Sequence, residues 1–97
     1  MKPSPKSTKD AREIPAAPAA DRTRIVIVDG QGSARGFFRE ALARREDYEV
    51  VGEGRTGTDA LRLCRKLKPA VLITELMLRD MGAATIVAEL RAENSPT

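Results

Sequence analysis

Two apolar runs, each followed directly by a carboxylate, constrain the fold of this chain more than any other feature. Residues 25–28 are Ile-Val-Ile-Val and precede Asp29, and residues 71–74 are Val-Leu-Ile-Thr and precede Glu75. Unbroken runs of this kind are typical of strands buried on both faces, as in parallel sheets. The carboxyl ends of parallel strands meet at one edge of an α/β sheet, where ligands bind. We therefore predict a polar site at that edge, with Glu75 as its central residue.

Length and composition allow one small domain and exclude several kinds of chemistry. The chain has 97 residues, 41% hydrophobic and 32% charged, which is an ordinary globular composition. It has no histidine, which excludes histidine metal ligands and general bases, and its single cysteine cannot form an internal disulfide. The net charge of +3 is too small to predict nucleic-acid binding, and no apolar run approaches membrane-spanning length. We expect a cytoplasmic protein that makes no direct contact with DNA or membranes.

The first 23 residues differ in composition from the rest of the chain. They are rich in Pro, Ala and Lys, and Ile14 is their only large aliphatic residue. Such a segment buries too little apolar surface to offset the entropy lost on ordering. We therefore predict a disordered tail over residues 1–23 and a domain over residues 24–97.

A first helix is predicted over residues 33–45, directly after the first strand. Ser33 is its expected N-cap, and Phe37 and Phe38 lie on an apolar stripe that is expected to pack in the core. The remaining face carries several arginines, which we interpret as a solvated surface. These are Arg35, Arg39, Arg44 and Arg45.

The second half of the domain repeats the alternation of strand and helix. A short second strand over residues 48–52 is followed by Thr56, a suitable N-cap, and by a helix that Pro69 ends. Cys64 lies on the apolar stripe of this helix and is expected to pack as a small hydrophobe. The third strand spans residues 70–74, and a final helix follows the loop.

The element order predicts how the strands are arranged in the sheet. Crossovers between parallel strands are right-handed in almost every known case, and the second strand, being the most polar, belongs at an edge. The spatial order is then 2-1-3 with helices on both faces. The winding reverses between the first and third strands, which is where open α/β sheets bind ligands. This arrangement brings Asp29 and Glu75 together.

The predicted position of the third strand leaves an apolar edge uncovered. Natural proteins rarely expose such an edge, so we predict an incomplete domain that lacks a fourth strand and melts with weak cooperativity in isolation. The alternative is that the final helix or a partner chain covers the edge.

Five segments together resemble the receiver domain of bacterial two-component response regulators, which has a flavodoxin-like, doubly wound α/β fold. The segments are residues 24–29, 48–53, 57–61, 68–73 and 76–83. Residues 50–53, Val-Val-Gly-Glu, resemble the branch in which a helix-turn-helix output domain follows the receiver. The resemblance covers residues 24 to about 94 and implies a receiver fold that is truncated after its third βα unit.

The resemblance implies a phosphorelay site at the predicted polar edge. In this family a sensor histidine kinase donates phosphate to an aspartate at the end of the third strand, and acids after the first strand help to hold Mg²⁺. The phosphoacceptor position holds Glu75 in this chain, and the acid pair is reduced to Asp29 followed by Gly30. The backbone carbonyl of Met77 corresponds to a further metal ligand. We expect only a weakened Mg²⁺ site.

The loop after the third strand also departs from the family pattern. Its usual proline and glycine are replaced by Arg79 and Asp80, which we assign to a switch loop. Arg79 either pairs with Glu75 or replaces the charge of the metal, or it is a solvated side chain without a role, as loop charges usually are. The family's later hydroxyl residue and phosphate-pairing lysine fall beyond residue 97.

These departures predict a pseudo-receiver without catalytic activity. The extra methylene of Glu75 displaces its carboxylate, and an error of about 1 Å can cost roughly a hundredfold in a reaction. Glu75 is then either a fixed charge that mimics a phosphorylated aspartate or a solvated carboxylate without a role. The chain would act by binding a sensor histidine kinase or another signalling protein, or as the N-terminal part of a transcriptional regulator. A homodimer is a further candidate.

A nucleotide-binding fragment is the alternative function. Gly30, Gly32 and Gly36 follow a strand and open a helix, as in the dinucleotide fingerprint, although the third glycine is one position late. Glu53 would be the ribose-binding acid. Asp29 counts against this alternative, since a carboxylate repels a pyrophosphate.

Overall fold

The computed structural model describes residues 11–14 and 21–97. Its elements, in chain order, are β1 (Arg12–Glu13), β2 (Thr23–Val28), α1 (Gly32–Ala43), β3 (Tyr48–Gly54), α2 (Gly57–Leu67), β4 (Val71–Thr74) and α3 (Ala83–Ala92). β2, β3 and β4 are the three predicted strands, and they alternate with helices as expected. Within residues 21–97, no helix combines the length and the apolar character needed to cross a membrane.

The sheet has the order β1-β3-β2-β4. β2 pairs in parallel with β3 on one side and with β4 on the other. The predicted parallel order 2-1-3 and the flavodoxin-like α/β fold are therefore confirmed, and an additional strand lies outside β3. The central position of β2 explains its unbroken apolar run, because all four residues from Ile25 to Val28 are buried.

The main core lies between the sheet and the pair α2 and α3. Val26 and Val28 point into it and pack with residues of both helices, including Cys64 and Ile86. Because side chains alternate along a strand, Ile25 and Ile27 face the other side, which α1 covers. Cys64 is 1% exposed, so its predicted core position is confirmed. Burial raises the pKa of its thiol, which therefore stays protonated and packs as a hydrophobe.

α2 begins and ends where the sequence predicts. The hydroxyl of Thr56 accepts a hydrogen bond from Asp59 N at 3.1 Å, and the Asp59 carboxylate accepts one from Thr56 N at 3.3 Å. This reciprocal capping box satisfies two N–H groups at the helix start. Lys68 adopts the left-handed conformation with φ 48° at the other end, and Pro69 follows. The predictions for Thr56 and Pro69 are confirmed.

α1 differs from its prediction in its cap and in its packing. The helix begins at Gly32, and Gln31 rather than Ser33 is at the N-cap position, where its side chain makes no capping bond. Phe37 is 68% exposed, so its predicted core position is wrong, whereas Phe38 is half-buried. Neighbouring residues in a helix point about 100° apart, so only one of two adjacent rings can face the sheet.

β1 lies inside the segment that the sequence predicts to be disordered. Arg12 and Glu13 pair antiparallel with Glu53 and Gly52 of β3, and Ile14 N donates to the carbonyl of Val51 at 2.8 Å. The prediction of disorder is therefore wrong for residues 12 and 13, because pairing with a sheet edge supplies stability that composition does not show. The same pairing moves β3 away from its predicted edge position. Residues 1–10 and 15–20 of the predicted tail lie outside the described residues.

β4 pairs with β2 alone among the strands that the structure describes. Its first residue, Val71, is 39% exposed. A shallow groove of about 340 Å³ lies between this strand and α3, and its apolar walls include Leu72, Ile86 and Val87. The expectation of a further strand beside β4 stays a prediction.

Candidate functional site at the carboxyl edge of the sheet

The structure brings Asp29 and Glu75 to neighbouring positions at the carboxyl edge. Val28 and Thr74 are paired across β2 and β4, so the next residue of each strand leaves the sheet at the same level. Glu75 Oε1 accepts a hydrogen bond from Gly30 N at 2.8 Å, and Asp29 Oδ1 accepts one from Gln31 N at 2.9 Å. Both acids are half-buried. The longer Glu75 side chain thus reaches across to the β2–α1 loop.

The oxygen donors at this edge that could hold Mg²⁺ are the carboxylates of Asp29 and Glu75. Mg²⁺ requires near-octahedral oxygen coordination and usually keeps several waters beside one or two carboxylates. Asp29 and Glu75 each accept a backbone N–H through one oxygen, and Gly30 presents a donor instead of a further carboxylate. No group of three or more acids, cysteines or histidines suited to a metal occurs within the described ranges. The weakened Mg²⁺ site stays a prediction.

Two arginines of α1 lie against the Glu53 carboxylate. Arg39 Nη1 donates to both oxygens of Glu53, at 2.9 and 2.7 Å, and Glu53 is only 3% exposed. Arg35 Nε lies 3.7 Å from the same carboxylate, and Arg35 Nη1 donates to the backbone carbonyl of Asp29 at 2.6 Å. The hydrogen bond and the charge of Glu53 raise the pKa of Arg39. The predicted solvated face is wrong for Arg35, which is half-buried, whereas Arg39, Arg44 and Arg45 are exposed as predicted. The pairing of Arg39 with Glu53 was not predicted, because this acidic partner comes from another element.

These contacts also occupy both groups that nucleotide binding would need. The Gly30 N–H, which would face a phosphate, already donates to Glu75. The Glu53 carboxylate, which would bind a ribose, is buried under Arg39. The cavity beside Asp29 and Glu75 is about 170 Å³, room for only a few waters at about 30 Å³ each. The geometry therefore disfavours the alternative built on Gly30, Gly32 and Gly36.

The predicted switch loop is a short hairpin. Met77 and Gly82 form an antiparallel bridge, and Leu78 N donates to the carbonyl of Met81 at 3.0 Å. Leu78 is 6% exposed and belongs to the core, whereas Leu76 and Met77 are 75% and 68% exposed. We name residues 76–83 the β4–α3 hairpin. It buries some apolar side chains and displays others beside Glu75.

Arg79 and Asp80 at the tip of this hairpin have different surroundings. Arg79 is exposed and makes no hydrogen bond or ion pair with any residue that the structure describes, so its predicted pairing with Glu75 is absent there. Asp80 Oδ1 accepts from Gly57 N at 2.6 Å, and Asp80 Oδ2 accepts from Thr58 N at 2.9 Å and from the Thr58 hydroxyl at 2.8 Å. Burial alone would raise the pKa of Asp80, but these bonds prevail and lower it.

Sequence comparison places the chain beside response regulators, although no family model matches it. It is 31% identical over 70 residues to the response regulator protein VraR of Staphylococcus epidermidis, covering 72% of this chain and 34% of that protein. It is 30% identical over 73 residues to the protein-glutamate methylesterase/protein-glutamine glutaminase 3 of Paramagnetospirillum magneticum, covering 75% and 21%. The chain thus spans about a third or less of the length of these relatives. The activities of the whole proteins are properties of those relatives.

Solved structures give the same result for the fold. The signal receiver domain of the putative response regulator NarL from Mycobacterium tuberculosis superposes with a TM-score of 0.78 and 28% identity, covering 80% of this chain and 63% of that one. A LuxR-family two-component response regulator from Aurantimonas sp. gives a TM-score of 0.71 and 29% identity, covering 75% and 52%.

Proposed function

Since the chain belongs to the receiver domains of bacterial two-component response regulators, we propose that it is a pseudo-receiver that signals without accepting phosphate. Glu75 stands in the phosphoacceptor position as a fixed negative charge. The observation that carries this proposal is the 2.8 Å hydrogen bond from Gly30 N to Glu75 Oε1. That bond commits one oxygen of the carboxylate to the neighbouring loop.

The hydrogen bond opposes phosphoryl transfer through geometry. A nucleophilic carboxylate needs an oxygen aligned with the phosphorus atom, and misalignment by about 1 Å costs on the order of a hundredfold. Glu75 Oε1 is held toward the β2–α1 loop by Gly30 N, and the extra methylene carries the carboxylate away from the end of β4. Only Oε2 is then left to attack, and the extra methylene displaces it from the position that an aspartate oxygen would hold.

Charge opposes the transfer as well. Phosphoryl transfer develops negative charge that metal ions and cationic side chains normally offset. Two cations at this edge, Arg35 and Arg39, are directed at Glu53 and the Asp29 carbonyl. An incoming phosphate would therefore meet Asp29 and Glu75 with little charge from these two side chains to offset its own. In this proposal, the Glu75 carboxylate supplies the charge that a phosphorylated aspartate would carry.

The biological role that follows is protein interaction within a phosphorelay. We infer that the chain binds a sensor histidine kinase or another signalling protein, or serves as the N-terminal part of a transcriptional response regulator. The similarity to VraR over 34% of that protein supports the second arrangement. A homodimer is compatible with both, and neither requires catalytic turnover.

Incubation with acetyl phosphate and Mg²⁺, followed by intact mass spectrometry, tests this proposal. We expect no stable phosphate on the wild-type chain. The double variant Glu75→Asp and Gly30→Asp restores both acids of the family pattern and should acquire measurable label. Glu75→Gln with Gly30→Asp is the matched control without an acceptor carboxylate. Stable label on Glu75 of the wild-type chain would contradict the proposal.

A further inference from the structure

The β4–α3 hairpin supplies part of the N-terminal cap of a helix that is distant in sequence. The first N–H groups of any helix lack partners within the helix. The Asp59 side chain accepts from Arg55 N and Thr56 N, and the Thr56 hydroxyl accepts from Asp59 N. The remaining pair, Gly57 N and Thr58 N, donates to Asp80. The local capping box is thus completed by a carboxylate 22 positions away from Thr58.

Packing joins the hairpin to α2 at the same place. A Cβ atom added at Gly57 would overlap the side chain of Met81 and lie 3.0 Å from Asp80 Oδ1. Met81 is partly buried against the core cluster that contains Leu78. Glycine at position 57 therefore lets the hairpin approach the helix closely. The Asp80 carboxylate holds this contact through hydrogen bonds, and the Met81 side chain holds it through packing.

These attachments do not involve Glu75. The Glu75 side chain bonds to Gly30 N in the β2–α1 loop, whereas the Asp80 carboxylate bonds to Gly57 and Thr58 at the start of α2. A change of charge at position 75 therefore alters a contact with one loop while the bonds from Asp80 to the start of α2 remain.

We propose that Asp80 is a latch that fixes the β4–α3 hairpin to α2, so that Leu76 and Met77 are displayed in one arrangement whatever the charge at position 75. This inference rests on the proposed function because it treats Glu75 as a fixed charge. It adds that the arrangement of the exposed Leu76 and Met77 does not depend on that charge. Such independence fits a domain that signals constitutively.

Amide hydrogen exchange of the full chain, followed by NMR, tests the latch. In Asp80→Ala, exchange should accelerate at both Gly57 and Thr58, which lose their acceptor. In the isosteric Asp80→Asn, which keeps one oxygen acceptor, it should accelerate at only one of the two. It should also accelerate roughly fivefold, as for loss of a helix cap, at Leu78 and Ala83, whose N–H groups bond within the hairpin. Exchange rates in β2 provide the correction for global stability. Arg79→Ala, at the same exposed tip, is the matched control and should leave these rates unchanged.

Acceleration confined to Gly57 and Thr58 would show a helix cap without a latch and would overturn the proposal. Glu75→Gln provides the second arm. Alone, it should leave exchange at Leu78 and Ala83 unchanged, and in the Asp80→Ala background it should accelerate exchange beyond the rate of Asp80→Ala alone. Acceleration by Glu75→Gln alone would also overturn the latch. Phosphate labelling of Glu75 is measured separately, so failure of the proposed function is distinguishable from failure of the latch.

Discussion

α1 and α2 derive from similar amphipathic patterns, yet they are held to the sheet in different ways. α2 has six buried residues, a complete capping box and the Asp80 carboxylate at its start. α1 has no buried residue and no side-chain cap, and its firmest bonds run from Arg39 to the carboxylate of Glu53. α2 shares its face of the sheet with α3, whereas among the described elements α1 covers its face alone. A hydrophobic stripe therefore predicts which face of a helix packs against the sheet. How deeply that face is buried depends on the elements that pack beside the helix.

Truncation of matched leucines tests this contrast with the largest expected effect. Leu63 of α2 is 2% exposed, whereas Leu42 of α1 is half-buried. We expect Leu63→Ala to lower the free energy of unfolding by about 3 kcal/mol, from lost transfer energy and the cavity left behind. Leu42→Ala should cost about 1 kcal/mol. Urea midpoints measured by circular dichroism check the order, and equal effects would remove the distinction between the helices.

Removal of the Glu53 charge tests whether polar contacts hold α1 in place. Glu53→Gln preserves the shape of the side chain but deprives Arg35 and Arg39 of their anion. We expect a loss of about 2 kcal/mol, less than for a fully buried ion pair because Arg39 is partly exposed, together with faster amide exchange in α1 than in α2. Asp47→Asn, which disrupts the exposed pair with Arg45, is the control and should cost less than about 0.5 kcal/mol.

The pH dependence of the stability of Asp80→Asn tests how the Asp80 carboxylate stabilises the start of α2. The folded pKa of Asp80 is below its ordinary value of 3.8. Such a carboxylate adds stability above its unfolded pKa, and that stability is lost as the pH falls through the folded pKa. The wild-type chain should therefore exceed the variant by about 1 kcal/mol near neutral pH, and the difference should vanish in acid. Urea unfolding at several pH values measures it, and a difference independent of pH would argue against an ionised cap.

Features with local sequence signals were predictable. β2 and β4 follow from uninterrupted aliphatic runs, and the bounds of α2 follow from the Thr56 cap and Pro69, because each signal acts within a few residues. The juxtaposition of Asp29 and Glu75 follows from topology, since parallel strands that are neighbours end at the same edge.

Features that depend on partners far along the chain were not predictable. Periodicity does not show that Arg39 meets a carboxylate on β3, and no local pattern links Asp80 to the start of α2. β1 escaped prediction for a related reason, since two residues carry no periodic signal and become a strand only by pairing with β3. Phe37 is exposed because only one of two adjacent rings in a helix can face the sheet, and the stripe does not show which one.

The short strand β1 has a consequence for self-association. A sheet grows into a fibre only when both of its outer strands can template a new neighbour. On the β3 side, the outermost described strand is the two-residue β1, which offers too little backbone for such templating. β1 pairs only with Gly52 and Glu53 of β3, whereas β4 has no outer neighbour at all among the described strands. Two copies that pair across β4 would therefore each bury this edge.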